Sequence, residues 1–121
     1  MFTSIIDVAT DPANPTEVGQ YGGSYKGFVD VEASGNYAYL FEMEDWVLEI
    51  IDISTPSAPF CVGECEGEGN TIYLFDGLYL SGDYLGISHN NLFGLYDVSD
   101  ANNPSHEGSY DTPDEIKDYP D

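Results

Sequence analysis

Short apolar runs separated by turn residues recur along this chain and predict a protein built from β-strands. Runs such as Ile72-Tyr73-Leu74-Phe75 and Ile50-Ile51 lie in segments of about four to seven residues, a length typical of strands. Several of these runs are continuously apolar instead of alternating, which indicates sheets that are covered on both faces. Thirteen Gly and seven Pro residues supply the frequent breaks between them.

One punctuation pattern occurs three times and is the strongest signal in the sequence. An Asp opens each copy, a turn ending in Pro follows, and a Gly comes four residues after that Pro; the residues are Asp7, Asp52, Asp97, Pro15, Pro59, Pro104, Gly19, Gly63 and Gly108. Between the copies stand Ser34-Gly35-Asn36-Tyr37 and Ser81-Gly82-Asp83-Tyr84. A repeat of about 45 residues made of short strands is typical of propeller blades.

The same landmarks place the strands inside each repeat. First strands are predicted at 28–31 and 71–75, second strands at 37–41 and 84–87, third strands at 47–53 and 92–98, and fourth strands at 60–64 and 105–110. Residues 4–8 and 16–21 supply a third and a fourth strand before them. The prediction is therefore ten antiparallel strands with almost no helix.

The predicted fold is all-β, an incomplete ring of roughly two and a half four-stranded antiparallel β-propeller blades. A half-blade occupies 1–26, two blades occupy 27–66 and 70–111, and 112–121 is a linker toward a missing blade. Closed propellers have about four to eight blades. Since open blade faces are apolar, we expect either a fragment of a longer polypeptide or self-association into a ring.

Several motifs resemble the LVIVD repeat. They are Ile50-Ile51-Asp52-Ile53-Ser54, Asn14-Pro15, Ala58-Pro59, Val18-Gly19, Val62-Gly63, Ser34-Gly35-Asn36-Tyr37-Ala38-Tyr39 and Ser109-Tyr110-Asp111-Thr112-Pro113. The resemblance covers nearly the whole chain. It implies a β-propeller of the kind found in bacterial and archaeal proteins that are often exported or attached to the cell surface. It implies no shared catalytic residues.

Charge narrows the range of partners. The chain has 23 Asp plus Glu against two Lys and no Arg, a formal net charge of −21. Such a surface repels phosphate backbones and anionic headgroups, which argues against binding to nucleic acid or insertion into a membrane. The sequence has no apolar run of membrane-spanning length, and its first residues do not form a signal peptide.

Cysteine, histidine and the recurrent aspartates are the candidates for metal chemistry. Four strand residues span roughly 13 Å, so Cys61 and Cys65 are too far apart for a disulfide, which needs Cα atoms within about 7 Å. Asp7, Asp52 and Asp97 are expected to accept backbone hydrogen bonds in turns, with a metal site as the alternative. Cys61 with His106 would hold Zn²⁺ only if the outer strands of neighbouring blades converged.

Aromatic and acidic residues near strand ends are the candidates for a binding surface. Trp46 opens a strand beside Glu44 and Asp45, and it is expected either to contact a ligand or to pack between blades. Glu32 and Asp76 lie on the predicted innermost strands, near the propeller axis.

The predicted function is a non-catalytic scaffold that binds a protein, a glycan or a cation. The alternative is a propeller-based hydrolase or lyase whose active site is completed by missing blades. No Gly-x-Ser-x-Gly elbow and no EF-hand loop occurs in the sequence. No cofactor is expected, although an acidic surface is compatible with weak binding of Ca²⁺.

Overall fold

The computed structural model describes residues 3–22, 28–42, 47–66, 75–89 and 92–111, and for seven strand-end residues among them only the backbone. These ranges contain ten strands and no helix. The strands are β1 Thr3–Asp7, β2 Thr16–Tyr21, β3 Phe28–Ser34, β4 Tyr37–Glu42, β5 Val47–Asp52, β6 Phe60–Glu66, β7 Phe75–Ser81, β8 Tyr84–His89, β9 Leu92–Asp97 and β10 Ser105–Asp111. No described segment forms a helix with the length and hydropathy of a membrane span.

The strands form three antiparallel sheets in chain order. Strands β1 and β2 form a half-blade, β3 to β6 form the middle blade, and β7 to β10 form the last blade. Every described pairing joins strands that are consecutive in sequence, so each four-stranded blade is a meander. The predicted all-β architecture is confirmed, and these sheets do not close into a ring.

The two hairpin turns between inner strands depend on glycine. Ser34 pairs with Tyr37 and Ser81 pairs with Tyr84, which leaves two residues in each turn. Gly35 and Gly82 have φ angles of 62° and 60°. Only glycine adopts this left-handed conformation without a steric cost, so the predicted Ser-Gly turns are confirmed.

The largest difference from the predicted strand bounds is in the last blade. The first strand of the last blade is Phe75–Ser81, whereas the sequence pattern placed it at 71–75. That prediction was based on the continuous apolar run at 72–75. A two-residue hairpin, however, requires the strand to extend to Ser81. Residues 71–74 lie outside the described part of the chain.

The core lies between blades, and the middle blade is covered on both sides. Its forward face contributes Tyr39, Phe41, Leu48 and Ile50 to a cluster with Leu85 and other residues of the last blade. Its rear face contributes Ala38, Leu40 and Ile51 to a second cluster, against which Tyr21 of the half-blade packs. This two-sided burial explains why β4 and β5 carry mostly apolar residues on both faces.

Neighbouring repeats are in close backbone contact at a recurrent glycine. A Cβ on Gly19 would overlap the backbone carbonyl oxygen of Pro56, and one on Gly63 would overlap that of Ala101. Around Gly108, at the same repeat position in the last blade, no heavy atom of the described residues lies within 4 Å of such a Cβ. The glycines of the first two repeats therefore let the next repeat dock, and the third has open space in front of it.

The recurrent aspartates hold the turns that follow them, as predicted. Asp52 Oδ1 accepts hydrogen bonds from the Ser54 backbone N–H at 2.8 Å and hydroxyl at 2.6 Å. Asp97 accepts the same pair from Ser99, and Asp7 accepts from the backbone N–H groups of Ala9 and Thr10. Each carboxylate thus accepts hydrogen bonds from backbone N–H groups in the turn where its strand ends.

Substitution of Asp97 by asparagine should lower the melting temperature by a few degrees at pH 7. The side-chain and backbone hydrogen bonds from Ser99 lower the pKa of Asp97 below its ordinary 3.8. A carboxylate with a lowered pKa stabilises the fold above its unfolded-state pKa, and this contribution is lost as pH falls through the folded-state pKa. The difference in melting temperature between the wild type and Asp97→Asn should therefore become smaller below about pH 4.

Thermal unfolding of the wild type and Asp97→Asn across this pH range measures the effect. Asp83→Asn is the matched control, because it removes the same charge from an exposed hairpin turn. Equal melting temperatures for the two variants at pH 7 would contradict the turn-holding role of Asp97.

Candidate functional site

A β-bulge recurs at one position in the outer strand of every repeat. In the middle blade Ile50 pairs with Gly63 while Ile51 pairs with Cys61, so Val62 is the extra residue. Val18 and Glu107 are the extra residues in the half-blade and the last blade. An extra residue shifts the alternation of side chains by one. Residues three apart across the bulge therefore share a face.

The bulge brings three reactive side chains together on the rear face of the middle blade. Glu64 pairs with Glu49 and Cys61 pairs with Ile51, and cross-strand partners point to the same face. One ligand-type atom from each of Glu49, Cys61 and Glu64 lies within 4.8 Å of the others. Glu49 is fully buried, Cys61 is half-buried and Glu64 is exposed.

Tyr21 of the half-blade completes this group, which we call the Glu49 cluster: Tyr21, Glu49, Cys61 and Glu64. The Tyr21 hydroxyl donates a hydrogen bond of 2.6 Å to Glu49 Oε1. The other carboxylate oxygen, Glu49 Oε2, is buried without a hydrogen-bond partner. A buried oxygen without a partner is costly and rare in folded proteins. The cluster therefore joins two repeats and has unused acceptor capacity.

Burial and mutual repulsion make the cluster hard to ionise. Burial raises the pKa of Glu49, the nearby charges of Glu64 and Glu42 add to the increase, and the Tyr21 hydrogen bond opposes it. Burial and the charge of Glu49 also raise the pKa of the Cys61 thiol. Burial and the hydrogen bond to Glu49 raise the pKa of Tyr21. The cluster holds excess negative charge unless protons or a cation neutralise it.

At the same location in the half-blade, hydrogen-bond donors stabilise a single carboxylate. Ser4, Glu17 and Gln20 occupy the positions of Glu49, Cys61 and Glu64. Glu17 Oε2 accepts from the Ser4 hydroxyl at 2.7 Å and from the Gln20 amide at 2.9 Å. These donors lower the pKa of Glu17.

The last blade has different chemistry at this location. Gly94, His106 and Ser109 stand there, and the His106 ring packs against Tyr96 with centroids 5.1 Å apart. Among the described residues of the three repeats, the middle blade alone combines two carboxylates and a thiol at this position.

The two cysteines point to opposite faces, and they form no disulfide with each other, as predicted. Cys61 packs with the rear-face cluster and Cys65 with the forward-face cluster, because the Val62 bulge lies between them. His106 belongs to the face of the last blade that meets the middle blade, on the side of Cys65. The described residues therefore do not show the convergence that a zinc site of Cys61 with His106 would require.

The predicted binding residues do not form one described site. Trp46, Glu44 and Asp45 lie outside the described residues, and for Asp76 only the backbone is described. Glu32 is half-buried and pairs with Tyr39, which places it on the forward face, opposite the Glu49 cluster.

Asp30, beside Glu32 on the innermost strand, links two blades. Its Oδ2 accepts a 3.2 Å hydrogen bond from the backbone N–H of Leu78, and its Oδ1 accepts from Val31. Asp30 therefore anchors β7 to β3. The sequence pattern placed the innermost strand near the propeller axis. It did not show that the Asp30 carboxylate joins two strands.

Sequence reasoning missed the Glu49 cluster. The repeat pattern does not mark Cys61 as special, because Glu17 and His106 occupy the same position in the other repeats. A signal was present in the run Val47-Leu48-Glu49-Ile50-Ile51, where one acid interrupts a buried strand. The partners of Glu49 were hidden because they depend on the bulge.

Removal of the Tyr21 hydroxyl should destabilise the protein. Tyr21→Phe removes the hydrogen bond to Glu49 Oε1 and so leaves both oxygens of this buried carboxyl group without a partner. We expect a loss of about 1–3 kcal/mol in the free energy of unfolding. Urea unfolding in the presence of EDTA measures it. Tyr110 occupies the same repeat position but is 62% exposed, so Tyr110→Phe is the control and should leave stability unchanged. Equal effects would contradict the inter-blade role of Tyr21.

Comparison with known proteins identifies the repeat. A family model described as LVIVD repeat matches three segments, residues 4–22, 29–67 and 76–112, which together make up more than half of the chain. The comparison with curated proteins gives no match. The three matched segments correspond to the half-blade, the middle blade and the last blade described above.

Proposed function

Because the chain belongs to the LVIVD-repeat family, we propose that it acts as a non-catalytic scaffold that binds a protein, a glycan or a cation. The four-stranded antiparallel sheets agree with a β-propeller-type repeat scaffold. We propose both the binding role and a location in an exported or cell-surface protein. The location rests on the resemblance to family members that are often exported or surface-attached.

The observation that carries the proposal is how the recurrent polar residues are used. Asp7, Asp52 and Asp97 hold turns, and Asp30 joins the innermost strands of two blades. A catalytic site requires such groups to converge on a substrate pocket. Here they rigidify a framework, which supports a scaffold that presents its loops to a partner.

Charge favours a partner with positive charge. The formal net charge of −21 creates a negative potential that attracts basic protein segments and cations, and salt weakens this attraction. A glycan partner would instead depend on hydrogen bonds and aromatic stacking, and its binding would be nearly independent of salt. The two modes of recognition therefore differ in their response to NaCl.

The forward face of the last blade supports packing against a further blade. Tyr79 is 54% and Tyr84 45% exposed there. Together with Phe93, Leu95 and Tyr110, Tyr84 lines a groove of about 450 Å³. The middle blade buries the equivalent face in the core. We expect a further blade to cover this groove, either from the same polypeptide or from a second copy of the chain.

Binding of three probes to the immobilised chain tests the scaffold proposal. The probes are an oligolysine peptide, Ca²⁺ and a neutral oligosaccharide, each titrated at low and at high NaCl. We expect saturable oligolysine binding that weakens about tenfold or more as salt rises. Failure of all three probes to bind would overturn the proposal.

The alternative of a propeller-based hydrolase or lyase is tested with Glu32→Gln and Asp76→Asn in the complete protein. The scaffold proposal expects both variants to fold and to leave any turnover unchanged. Loss of turnover with an intact fold would favour the enzyme.

A further inference from the structure

The Glu49 cluster lacks the hydrogen-bond donors that stabilise the carboxylate of its counterpart in the half-blade. Glu17 has Ser4 and Gln20 as donors, whereas Glu49, Cys61 and Glu64 bring two carboxylates and a thiol to one place. Tyr21 satisfies one oxygen of Glu49, and the second oxygen is buried without a partner. A buried acceptor beside a second carboxylate and a thiol is stabilised when a proton or a cation supplies positive charge.

We propose that Glu49, Cys61 and Glu64 bind a thiophilic divalent cation, Zn²⁺ being the best match, between the half-blade and the middle blade. Zn²⁺ accepts cysteine sulfur and carboxylate oxygen together, at about 2.3 Å and 2.0–2.2 Å. Ca²⁺ and Mg²⁺ take oxygen ligands and would leave the thiol unused.

The geometry permits this site with a small adjustment. Tetrahedral zinc places one sulfur and two oxygen ligands about 3.3–3.7 Å apart, from the bond lengths above. The three ligand-type atoms already lie within 4.8 Å of one another. Glu64 is exposed and lies at the solvent edge, so it is the ligand that has room to rotate inward. The same edge gives water access to a fourth coordination position.

Tyr21 would orient the buried ligand. Its hydroxyl holds Glu49 Oε1 at 2.6 Å, which leaves Oε2 for the cation. Hydrogen bonds of this kind to a ligating carboxylate fix its orientation and commonly change metal affinity by about 10- to 100-fold. Since Tyr21 comes from the half-blade, the bound cation would strengthen the contact between two repeats.

Zinc binding to the reduced protein tests the inference, independently of what the scaffold binds elsewhere. Zn²⁺ is titrated calorimetrically in excess Ca²⁺, which occupies weak carboxylate sites on the acidic surface. Cd²⁺ then reports on sulfur coordination through its thiolate charge-transfer absorption. We expect one saturable site per chain, a thiolate band, and a higher melting temperature with Zn²⁺ than without it.

Four variants locate the site. Cys61→Ser, Glu49→Gln and Glu64→Gln should each weaken Zn²⁺ binding by about tenfold or more, and Cys61→Ser should abolish the Cd²⁺ band. Cys65→Ser is the matched control and should bind like the wild type, because Cys65 lies on the opposite face. Glu64→Gln alters an exposed residue, so it remains informative if a buried variant fails to fold.

The opposing outcomes are distinct. Zn²⁺ binding that disappears in excess Ca²⁺, or that Cys65→Ser reduces as much as Cys61→Ser, would overturn the inference. A second opposing outcome combines two results: the melting temperature of the wild type does not change with Zn²⁺, and Glu49→Gln is at least as stable as the wild type. Together they would show that Glu49 is a neutral buried acid instead.

Discussion

Replacing Gly63 by alanine should cost about 3 kcal/mol of the free energy of unfolding, at the upper end of what overpacking usually costs. The added Cβ would overlap the carbonyl oxygen of Ala101, and its next contact would be Pro104 Cδ at 3.0 Å. The obstructing atom belongs to the backbone, so it moves only if the last blade moves. We expect a matching fall in the urea midpoint, with loosened contact between the blades.

Two further glycines make this prediction specific. Gly19→Ala should cause a comparable loss at the other blade contact, because its Cβ would overlap the carbonyl oxygen of Pro56. Gly108→Ala should leave stability within about 0.5 kcal/mol of the wild type, since no heavy atom of the described residues lies within 4 Å of the added Cβ. Equal destabilisation by all three substitutions would indicate a requirement of the bulge itself instead of blade docking.

Replacing Ile50 by alanine should cost about 2–5 kcal/mol, the usual range for truncation of a fully buried aliphatic side chain. Ile50 is 0% exposed in the core between the middle and last blades. The loss combines the transfer free energy of the removed carbons with the cavity that they leave. Urea unfolding in the presence of EDTA measures it without any contribution from bound metal.

Leu95 provides the matched control for Ile50. It pairs with Gly108 as Ile50 pairs with Gly63, but it lines the open groove on the last blade. Leu95→Ala should therefore cost less than about half as much. If it costs as much as Ile50→Ala and the loss depends on protein concentration, a second copy of the chain covers the groove. Equal losses without that dependence would contradict the assignment of the core.

Local sequence determined the strands and their turns. The 45-residue spacing and the Ser-Gly hairpins predicted ten strands, because each hairpin depends on a residue that tolerates a left-handed backbone. The turn role of Asp97 was equally predictable, since its partner Ser99 is two residues away. The boundary of β7 was missed, because an apolar run does not define where a hairpin begins.

The candidate site was decided by tertiary structure. Two residues that are three positions apart on a regular strand point to opposite faces. The sequence pattern therefore separates Cys61 from Glu64. The Val62 bulge reverses that alternation, and the pairing of β5 with β6 sets Glu49 beside them. Tyr21 reaches Glu49 across 28 positions of sequence, because the half-blade docks on the rear face of the middle blade. Strand periodicity determines which residues form a strand, but only pairing register and blade stacking determine which side chains share a buried space.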